Sequence, residues 1–326
     1  MCDGVVVRTD STAPALVALD WGTSSQRAWL LDGAGRVLDA RSADAGLLRV
    51  TRGLDPADVA GRARAYAAAY DALCGSWLAA HPGLPAIACG MVGSAQGWAD
   101  AGYRTVPAAD PGALVPVEHP AGPVHLVPGL RVPSADGVPG DVLRGEETQV
   151  LGVLASDPVR TVVLPGTHTK WVRIEDGLVS GFTTTVTGEL YALEMEHGII
   201  GRTAGAGEPD AAAFARGLAT GAVSRGLQVE LFGTRALVLD GLLAPSAVPD
   251  YLSGVLLGDE LRHVLPRYAA AGDEVVVCGG AALAQRYREA LAGHGVRARI
   301  VDGDVVVRGL WTLAAAAGLV LTEEDA

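Results

Sequence analysis

The fold is decided by one stretch near the N-terminus, Leu16-Val-Ala-Leu-Asp20-Trp-Gly22-Thr23-Ser24-Ser25-Gln-Arg27-Ala-Trp29-Leu-Leu31. An apolar run ends in Asp20, a polar turn follows, and the chain then becomes apolar again, which predicts strand, tight turn and strand. Gly22 lets the backbone turn and present N–H groups to an anion. Asp20 is placed to hold a hydrated Mg²⁺ beside phosphates. The alternative is a polar hairpin with a capping aspartate. Further donors follow in the turn: Thr23, Ser24, Ser25 and Arg27.

The same pattern recurs in the second half of the chain, as Val162-Val-Leu-Pro165-Gly166-Thr167-His168-Thr169-Lys170-Trp171. In both copies the turn glycine is followed eleven residues later by the glycine of an Asp-Gly pair, Gly33 or Gly177. Asp-Gly pairs favour hairpin turns. The sequence therefore predicts a duplicated α/β chain in which each half carries a phosphate-binding turn, the second made by Gly166, Thr167 and His168.

Lys170 makes the second turn more specific, because it is the only lysine in the chain. A compact point charge suits a phosphate oxygen, although chance could also leave one lysine here. His168 in the same turn either contacts phosphate or has an orienting, structural role.

A third element predicted to bind nucleotide is the apolar strand from Glu274 to Cys278, followed by Gly279-Gly280 and a helix. Glycines at this position let adenine or ribose lie against the backbone, and the helix N-terminus favours an anion nearby. A plain Gly-Gly turn is the alternative.

The composition excludes several classes of protein. The net charge of −12 and the lack of a basic run argue against binding to nucleic acid or an anionic membrane. Four scattered cysteines fit free thiols better than a disulfide framework or a zinc site. We expect a cytoplasmic protein with a flexible lead-in over residues 1–14 and two domains, 15–150 and 151–326. Whether it forms a homo-oligomer is left open.

Phosphoryl transfer needs a base for the acceptor hydroxyl, and the expected base is a carboxylate at the start of a helix that links the two halves. This helix is predicted to begin at Asp141. The candidates are Glu146, Glu147 and Asp141, and any of them could instead be a capping or solvent-facing acid.

Several ordered motifs are shared with one enzyme family. The chain from Leu16 onward resembles the 2-dehydro-3-deoxygalactonokinases, which belong to the superfamily of actin, Hsp70 and sugar kinases. The resemblance implies two duplicated ribonuclease H-like domains with a nucleotide cleft between them, the actin-like ATPase fold. The motifs are Asp20-Trp21-Gly22, Ala45-Gly46, Gly90-Met91-Val92-Gly93-Ser94 with Gly97-Trp98, Arg144-Gly145-Glu146-Glu147-Thr148-Gln149, Pro165-Gly166-Thr167-His168 with Lys170-Trp171, and Thr187-Gly188-Glu189-Leu190.

The family implies ATP- and Mg²⁺-dependent phosphorylation of 2-dehydro-3-deoxy-D-galactonate at its terminal C6 hydroxyl, in galactonate or galactose catabolism. Related carbohydrate kinases begin the linking helix with Gly-Asp-Gln, which points to Glu146 as the base. The acceptor carboxylate requires a cation, so Arg144 and Arg49 are candidates, although each could make an internal ion pair. The remaining candidates for contacts with the substrate are Ser94, Gln96, Trp98 and Glu189.

Three other functions stay open from the sequence. The acceptor could be the epimer 2-dehydro-3-deoxygluconate or a related sugar acid, because epimers are distinguished only by contacts that the sequence does not reveal. A non-metabolic actin-like ATPase is the second alternative, and a sugar-binding sensor without catalysis is the third.

Overall fold

The computed structural model describes residues 12–156, 158–302 and 305–320, which form two compact units. The first unit combines residues up to 158 with the C-terminal helix, and the second contains residues 159–302. The predicted lead-in lies outside the described residues as far as residue 11, and the first strand already begins at Pro14.

The strands in chain order are β1 (Pro14–Trp21), β2 (Gln26–Asp32), β3 (Val37–Ala43), β4 (Ala86–Cys89), β5 (Tyr103–Thr105), β6 (Val115–Val117), β7 (Val124–Leu126), β8 (Gly129–Val132), β9 (Asp141–Leu143), β10 (Thr161–Leu164), β11 (Thr169–Glu175), β12 (Leu178–Thr185), β13 (Glu274–Cys278) and β14 (Arg297–Val301). The helices are α1 (Leu47–Val50), α2 (Val59–Ala80), α3 (Glu146–Leu154), α4 (Thr187–Glu196), α5 (Ala211–Ala222), α6 (Leu227–Leu239), α7 (Val248–Val264), α8 (Ala281–Ala292) and α9 (Val305–Ala316).

The two units repeat one sheet topology. The main sheet of the first unit has the order β3-β2-β1-β4-β7-β6, and that of the second has β12-β11-β10-β13-β14. In the first unit, β1 to β3 are antiparallel neighbours, and β4 and β7 run parallel to β1. In the second unit, β10 to β12 are antiparallel neighbours, and β13 and β14 run parallel to β10. This arrangement confirms the duplicated ribonuclease H-like, actin-like fold. A smaller sheet, β5-β8-β9, belongs to the first unit.

Buried central strands explain why these two stretches could be recognised in the sequence. Leu16 to Leu19 in β1 are all fully buried, and so are Val162 and Val163 in β10. A strand that is covered on both faces has a continuous apolar run instead of an alternating pattern. The hairpin between β11 and β12 turns at Asp176 and Gly177, both with positive φ, as the Asp-Gly pair predicts.

The boundary between the units differs from the predicted division at residue 150. The last helix, α9, packs with the first unit because Val306, Leu310 and Leu313 join the buried cluster of Leu16 and Ile87. The close approach of α9 to α3 also depends on a glycine. The sequence could not predict that α9 packs on the first unit, because an apolar helix face does not indicate which sheet it will cover.

Glycines set the closest helix contacts. A Cβ at Gly152 of α3 would lie 1.8 Å from the carbonyl oxygen of Val305 at the start of α9. In the second unit, a Cβ at Gly217 of α5 would lie 2.2 Å from the carbonyl oxygen of Tyr251 in α7, and one at Gly254 would lie equally close to that of Phe214. These contacts fix α7 in the interior of its unit, where it carries residues of the site described below.

The prediction that a helix begins at Asp141 is wrong. Asp141 opens strand β9, and the helix begins at Glu146, after Gly145 with a φ of 99°. A non-glycine residue is strained at such a φ, so Gly145 marks the true boundary. Among the described residues, no helix combines the length and the apolar character needed to cross a membrane.

Candidate active site

The first predicted phosphate turn joins β1 to β2 at the carboxyl end of β1. The Gly22 N–H donates to the Ser25 carbonyl at 2.9 Å, which closes the turn and leaves Thr23 and Ser24 exposed. Asp20, at the end of β1, forms an ion pair with Arg27. The structure thus places an exposed run of hydroxyl groups next to a carboxylate and a guanidinium.

Gly46 packs the following segment directly onto this turn. A Cβ at Gly46 would lie 2.3 Å from the carbonyl carbon of Ser24, so only glycine fits. The N–H groups of Leu47 and Leu48 donate to the carbonyls of Gly22 and Thr23, both at 3.1 Å. The Ala45-Gly46 motif therefore shapes the turn from behind.

The linking helix α3 begins beside Asp20. Between them lies Gly90, whose Cβ would meet the Trp21 carbonyl oxygen at 2.8 Å and the Asp20 Oδ1 at 3.4 Å. A Cβ at Gly145 would in turn lie 3.2 Å from the Gly90 Cα. Two glycines with positive φ thus bring the ends of β1 and β4 together with the first turn of α3.

The three candidate carboxylates have different environments. Glu147 is 1 % exposed, and its oxygens accept hydrogen bonds from the Gly145 N–H at 2.6 Å and the Thr148 hydroxyl at 3.1 Å. Burial, with the charge of Glu146, raises the pKa of Glu147 to about 8. Glu146 is half-buried and accepts from the Arg144 N–H at 2.9 Å. Asp141 lies on β9 and accepts from the N–H of Val142.

Arg144 is a buried cation with donors that are not satisfied by the protein. Its side chain is 3 % exposed, and its Nη2 donates to the Gly102 carbonyl at 2.8 Å and forms a long ion pair, at 3.9 Å, with the exposed Asp100. Its guanidinium stacks on Tyr103 at 4.3 Å from the ring centre. Its Nε and Nη1 have no hydrogen-bond partner. A Cβ on Gly93 would lie 3.0 Å from Nη1, so the glycine-rich loop borders the guanidinium. Buried donors without partners are uncommon in proteins and indicate a place for a ligand or water.

The other residues predicted to contact the substrate have environments unlike that of Arg144. Arg49 forms an exposed ion pair with Asp44 at 2.8 Å, one of the two roles that the sequence left open. Trp98 is 4 % exposed and packs among aromatic rings in the core, so it has almost no surface for a substrate. Ser94 is buried and donates to the Met91 carbonyl at 2.8 Å, whereas Gln96 is exposed.

The second predicted phosphate turn belongs to the second unit and repeats the construction of the first. A Cβ at Gly188 would lie 2.3 Å from the Gly166 carbonyl oxygen, and the Glu189 N–H donates to the Thr167 carbonyl at 2.9 Å. The first turn of α4 therefore packs on the turn at 166–168, as the segment after Gly46 does in the first unit. Sequence reasoning missed this correspondence, although a glycine that follows the third strand in both halves was a signal for it.

Lys170 and His168 make contacts within the second turn. The Lys170 Nζ donates to the His168 carbonyl at 3.1 Å, and its residue is buried. His168 Nε2 lies 2.8 Å from Glu189 Oε2, with both side chains about half exposed. Glu189, predicted to contact the substrate, is thus placed beside the phosphate turn of the second unit.

A cavity of about 460 Å³ opens next to this turn within the second unit. Its lining comes from the turn, the start of α4, α7 and α8. The apolar residues lie mainly on α7 and α8, and these two helices also contribute the polar residues Ser253, Arg286 and Tyr287. Gly279 also adjoins the turn, because a Cβ there would lie 3.2 Å from the Pro165 carbonyl oxygen, and α8 begins directly after Gly280. The lining residues are Gly166, Thr167, Thr169, Thr187, Gly188, Tyr191, Ser253, Leu256, Leu257, Ala282, Leu283, Arg286 and Tyr287.

The donor groups present fit a nucleotide and its metal. The cavity offers apolar walls for a base and the Gly166-Thr167 turn for phosphate. In the described part of the chain, no three metal-binding side chains come together. Mg²⁺ bound with ATP needs only one or two carboxylates, since phosphates and waters supply the remaining ligands. Asp20 offers such a carboxylate oxygen.

Comparison with known proteins places these features in one family. The model of the 2-keto-3-deoxy-galactonokinase family matches residues 20–313. The chain is 33% identical to the 2-dehydro-3-deoxygalactonokinase of Escherichia coli, over 88% of this chain and 93% of that protein. It is 36% identical to the probable 2-dehydro-3-deoxygalactonokinase of Rhizobium meliloti, over 94% and 98%. A crystal structure from Sinorhizobium meliloti, to which the same activity is provisionally attributed, has a TM-score of 0.79 at 34% identity and covers 92% of this chain and 96% of its own.

The buried Glu147 gives a testable dependence of stability on pH. Its pKa is about 8 in the folded state against 4.5 for an ordinary glutamate, so the unfolded chain loses a proton that the folded chain keeps. The free energy of unfolding is therefore expected to fall as pH rises from about 4.5 to about 8. The Glu147→Gln variant cannot ionise at this position, so its free energy of unfolding should fall by a few kcal/mol less than that of the wild type over this range. Thermal unfolding of both proteins across this range measures it, and parallel curves would contradict the assignment.

Proposed function

The chain belongs to the 2-keto-3-deoxy-galactonokinase family, and from this premise we propose that it transfers the γ-phosphoryl group of ATP to the C6 hydroxyl of 2-dehydro-3-deoxy-D-galactonate. The observation that carries this proposal is the pair of unsatisfied donors on buried Arg144, two residues before Glu146. A sugar acid has a carboxylate that can accept hydrogen bonds from Arg144 and a hydroxyl group that can give its proton to Glu146. A neutral sugar could accept hydrogen bonds from Arg144 but would not supply the negative charge that makes such bonds strong.

Arg144 is better suited than Arg49 to bind the carboxylate. Its guanidinium is already oriented by Gly102 and Tyr103, so little side-chain freedom would be lost on binding. Removed from water, its hydrogen bonds to a carboxylate would be stronger than those of an exposed arginine. Arg49 is exposed and engaged by Asp44, and such surface ion pairs contribute little.

Glu146 is the proposed base. Glu147 has both oxygens engaged and keeps its proton below a pH of about 8, so it is a poor acceptor near neutrality. Glu146 is more exposed, and the Arg144 N–H orients its carboxylate. In the proposed step, the substrate O6 forms the new bond to the γ-phosphorus while the bond to the β-phosphate oxygen breaks. Glu146 takes the hydroxyl proton, and ADP leaves with the bridging oxygen.

The nucleotide is assigned to the second unit, with the base in the cavity beside α7 and α8 and phosphates at the Gly166 turn and Lys170. Asp20 is the proposed ligand of Mg²⁺, which when bound would neutralise part of the phosphate charge. Arg27 balances the Asp20 charge and adds a donor for phosphate. Binding of the nucleotide between the two repeats stays a prediction.

An assay of ADP release tests the function. With ATP and Mg²⁺, we expect turnover with 2-dehydro-3-deoxygalactonate and much less with 2-dehydro-3-deoxygluconate or without an acceptor. Similar rates with both acids would support the kinase activity but show a wider substrate range. ADP release that does not depend on an acceptor would reject the proposal in favour of a non-metabolic ATPase.

The role of Glu146 is tested by Glu146→Gln, with Asp141→Asn as the control. The amide can still accept from the Arg144 N–H but cannot take the proton, so kcat should fall by about a hundredfold or more with ATP affinity retained. Asp141→Asn changes a carboxylate on β9 and should keep kcat within about twofold. Normal turnover of the Glu146 variant would remove it from the mechanism.

The two arginines are compared through Arg144→Lys and Arg49→Gln. Lysine keeps the charge but loses the planar set of donors, so KM for the keto acid should rise about tenfold or more while KM for ATP stays unchanged. The Arg49 variant should resemble the wild type. The wild type should also discriminate against an analogue with an alcohol in place of the carboxylate. If the Arg144 variant keeps full discrimination, the carboxylate is bound elsewhere.

A further inference from the structure

One buried carboxyl group connects the elements that surround the cavity of the second unit. Glu260 on α7 is 5 % exposed. Its Oε1 accepts from the Trp171 Nε1 at 2.7 Å and from the Tyr287 hydroxyl at 3.0 Å. Its Oε2 accepts from the Thr185 hydroxyl at 3.0 Å, again from the Tyr287 hydroxyl, and from the Thr187 hydroxyl. Four donors from β11, β12, α4 and α8 thus converge on one side chain.

This network reaches the surface of the cavity. Thr187 and Tyr287 both line it, and the Tyr287 hydroxyl lies 2.9 Å from that of Thr169, a third lining residue. The Thr187 hydroxyl also lies 3.1 Å from that of Thr185. Glu260 itself is absent from the lining residues. Its effect on a ligand would therefore pass through the groups that it holds.

The donors to Glu260 also tie neighbouring elements to the cavity. A buried carboxylate must be hydrogen-bonded, and its two oxygens accept about four hydrogen bonds. Here the donors include the first residue of α4, directly before Gly188, which packs on the Gly166 turn. The position of that turn is thereby linked to α7, which the glycine contacts with α5 hold in place. Apolar walls alone would not fix the rotation of α4 and α8 about the cavity.

We propose that Glu260 is the positioning residue of the nucleotide site: it fixes the Thr187 and Tyr287 hydroxyls and the start of α4 so that the cavity and the Gly166 turn accept ATP. This rests on the proposed assignment of the nucleotide to the second unit. The acceptor residues Arg144 and Glu146 belong to the first unit. The loss of Glu260 therefore weakens nucleotide binding selectively and leaves the affinity for the sugar acid unchanged.

The first test is Glu260→Gln, measured by calorimetric titration with ADP and Mg²⁺ and by steady-state kinetics. An amide keeps the shape but loses one acceptor and adds a donor facing hydroxyl and indole donors, so the Kd for ADP and KM for ATP should rise about tenfold. KM for the keto acid should stay within about twofold. Equal increases of both KM values, or unchanged nucleotide affinity in a folded variant, would overturn the proposal.

The matched control is Glu230→Gln in the same unit. Glu230 is also a largely buried carboxylate and accepts from the Arg225 N–H and Nε, both at 3.1 Å, but neither residue lines the cavity. This variant should bind ADP as the wild type does. If it weakens ADP binding as much as Glu260→Gln, general loosening of the unit explains the effect and the positioning role is wrong.

A second pair of variants decides the question if Glu260→Gln does not fold. Thr185 donates to Glu260 but is not among the lining residues. Thr185→Val removes the donor and should raise the Kd for ADP about threefold, whereas Thr185→Ser keeps it and should restore binding. Equal Kd values for the two would overturn the proposal. If the wild type itself does not bind ADP, the proposed nucleotide site fails, an outcome distinct from the failure of Glu260.

Discussion

Each predicted phosphate turn depends on a glycine with no room for a Cβ atom. Gly46 in the first unit and Gly188 in the second each bring a helix start onto the backbone of the turn, with would-be Cβ contacts of 2.3 Å. In both cases N–H groups of that segment bond to carbonyls of the turn. These main-chain contacts shape each turn, and the hydroxyl side chains of Thr23, Ser24 and Thr167 remain exposed to solvent. Any side chain at either glycine would force the two segments apart.

The two units share a fold but differ in the groups that they place beside their turns. The first unit gathers charged groups where β1, β4 and α3 meet, with Asp20, Glu146 and Glu147 near the buried Arg144. The second unit forms an apolar cavity beside its turn. The two units therefore carry equivalent turns, and α4, α7 and α8 of the second unit supply the walls of its cavity.

Two buried carboxyl groups illustrate how environment decides the role of an acid. Burial raises the pKa of Glu147 and also that of Glu260, although the hydrogen-bond donors around each oppose the shift. Both are fully engaged by protein donors, which makes them suited to hold neighbouring groups and poorly suited to accept a proton from a substrate. Glu146, which is half-buried and accepts from the backbone N–H of Arg144, is in a different environment despite its adjacent position.

The sequence by itself determined the duplication, the turns and most strands, because continuous apolar runs and Asp-Gly pairs are local signals. Through its motifs it also predicted Arg144 and Glu146 as site residues. Only the tertiary structure decided that Trp98 belongs to the core, that α9 returns to the first unit and that the helix begins at Glu146 and not at Asp141. The sequence also contained no signal for the role proposed for Glu260, because its hydrogen-bond donors lie up to 89 residues away in the chain. Burial and convergence are properties of packing, and a linear pattern does not encode which distant segments will meet.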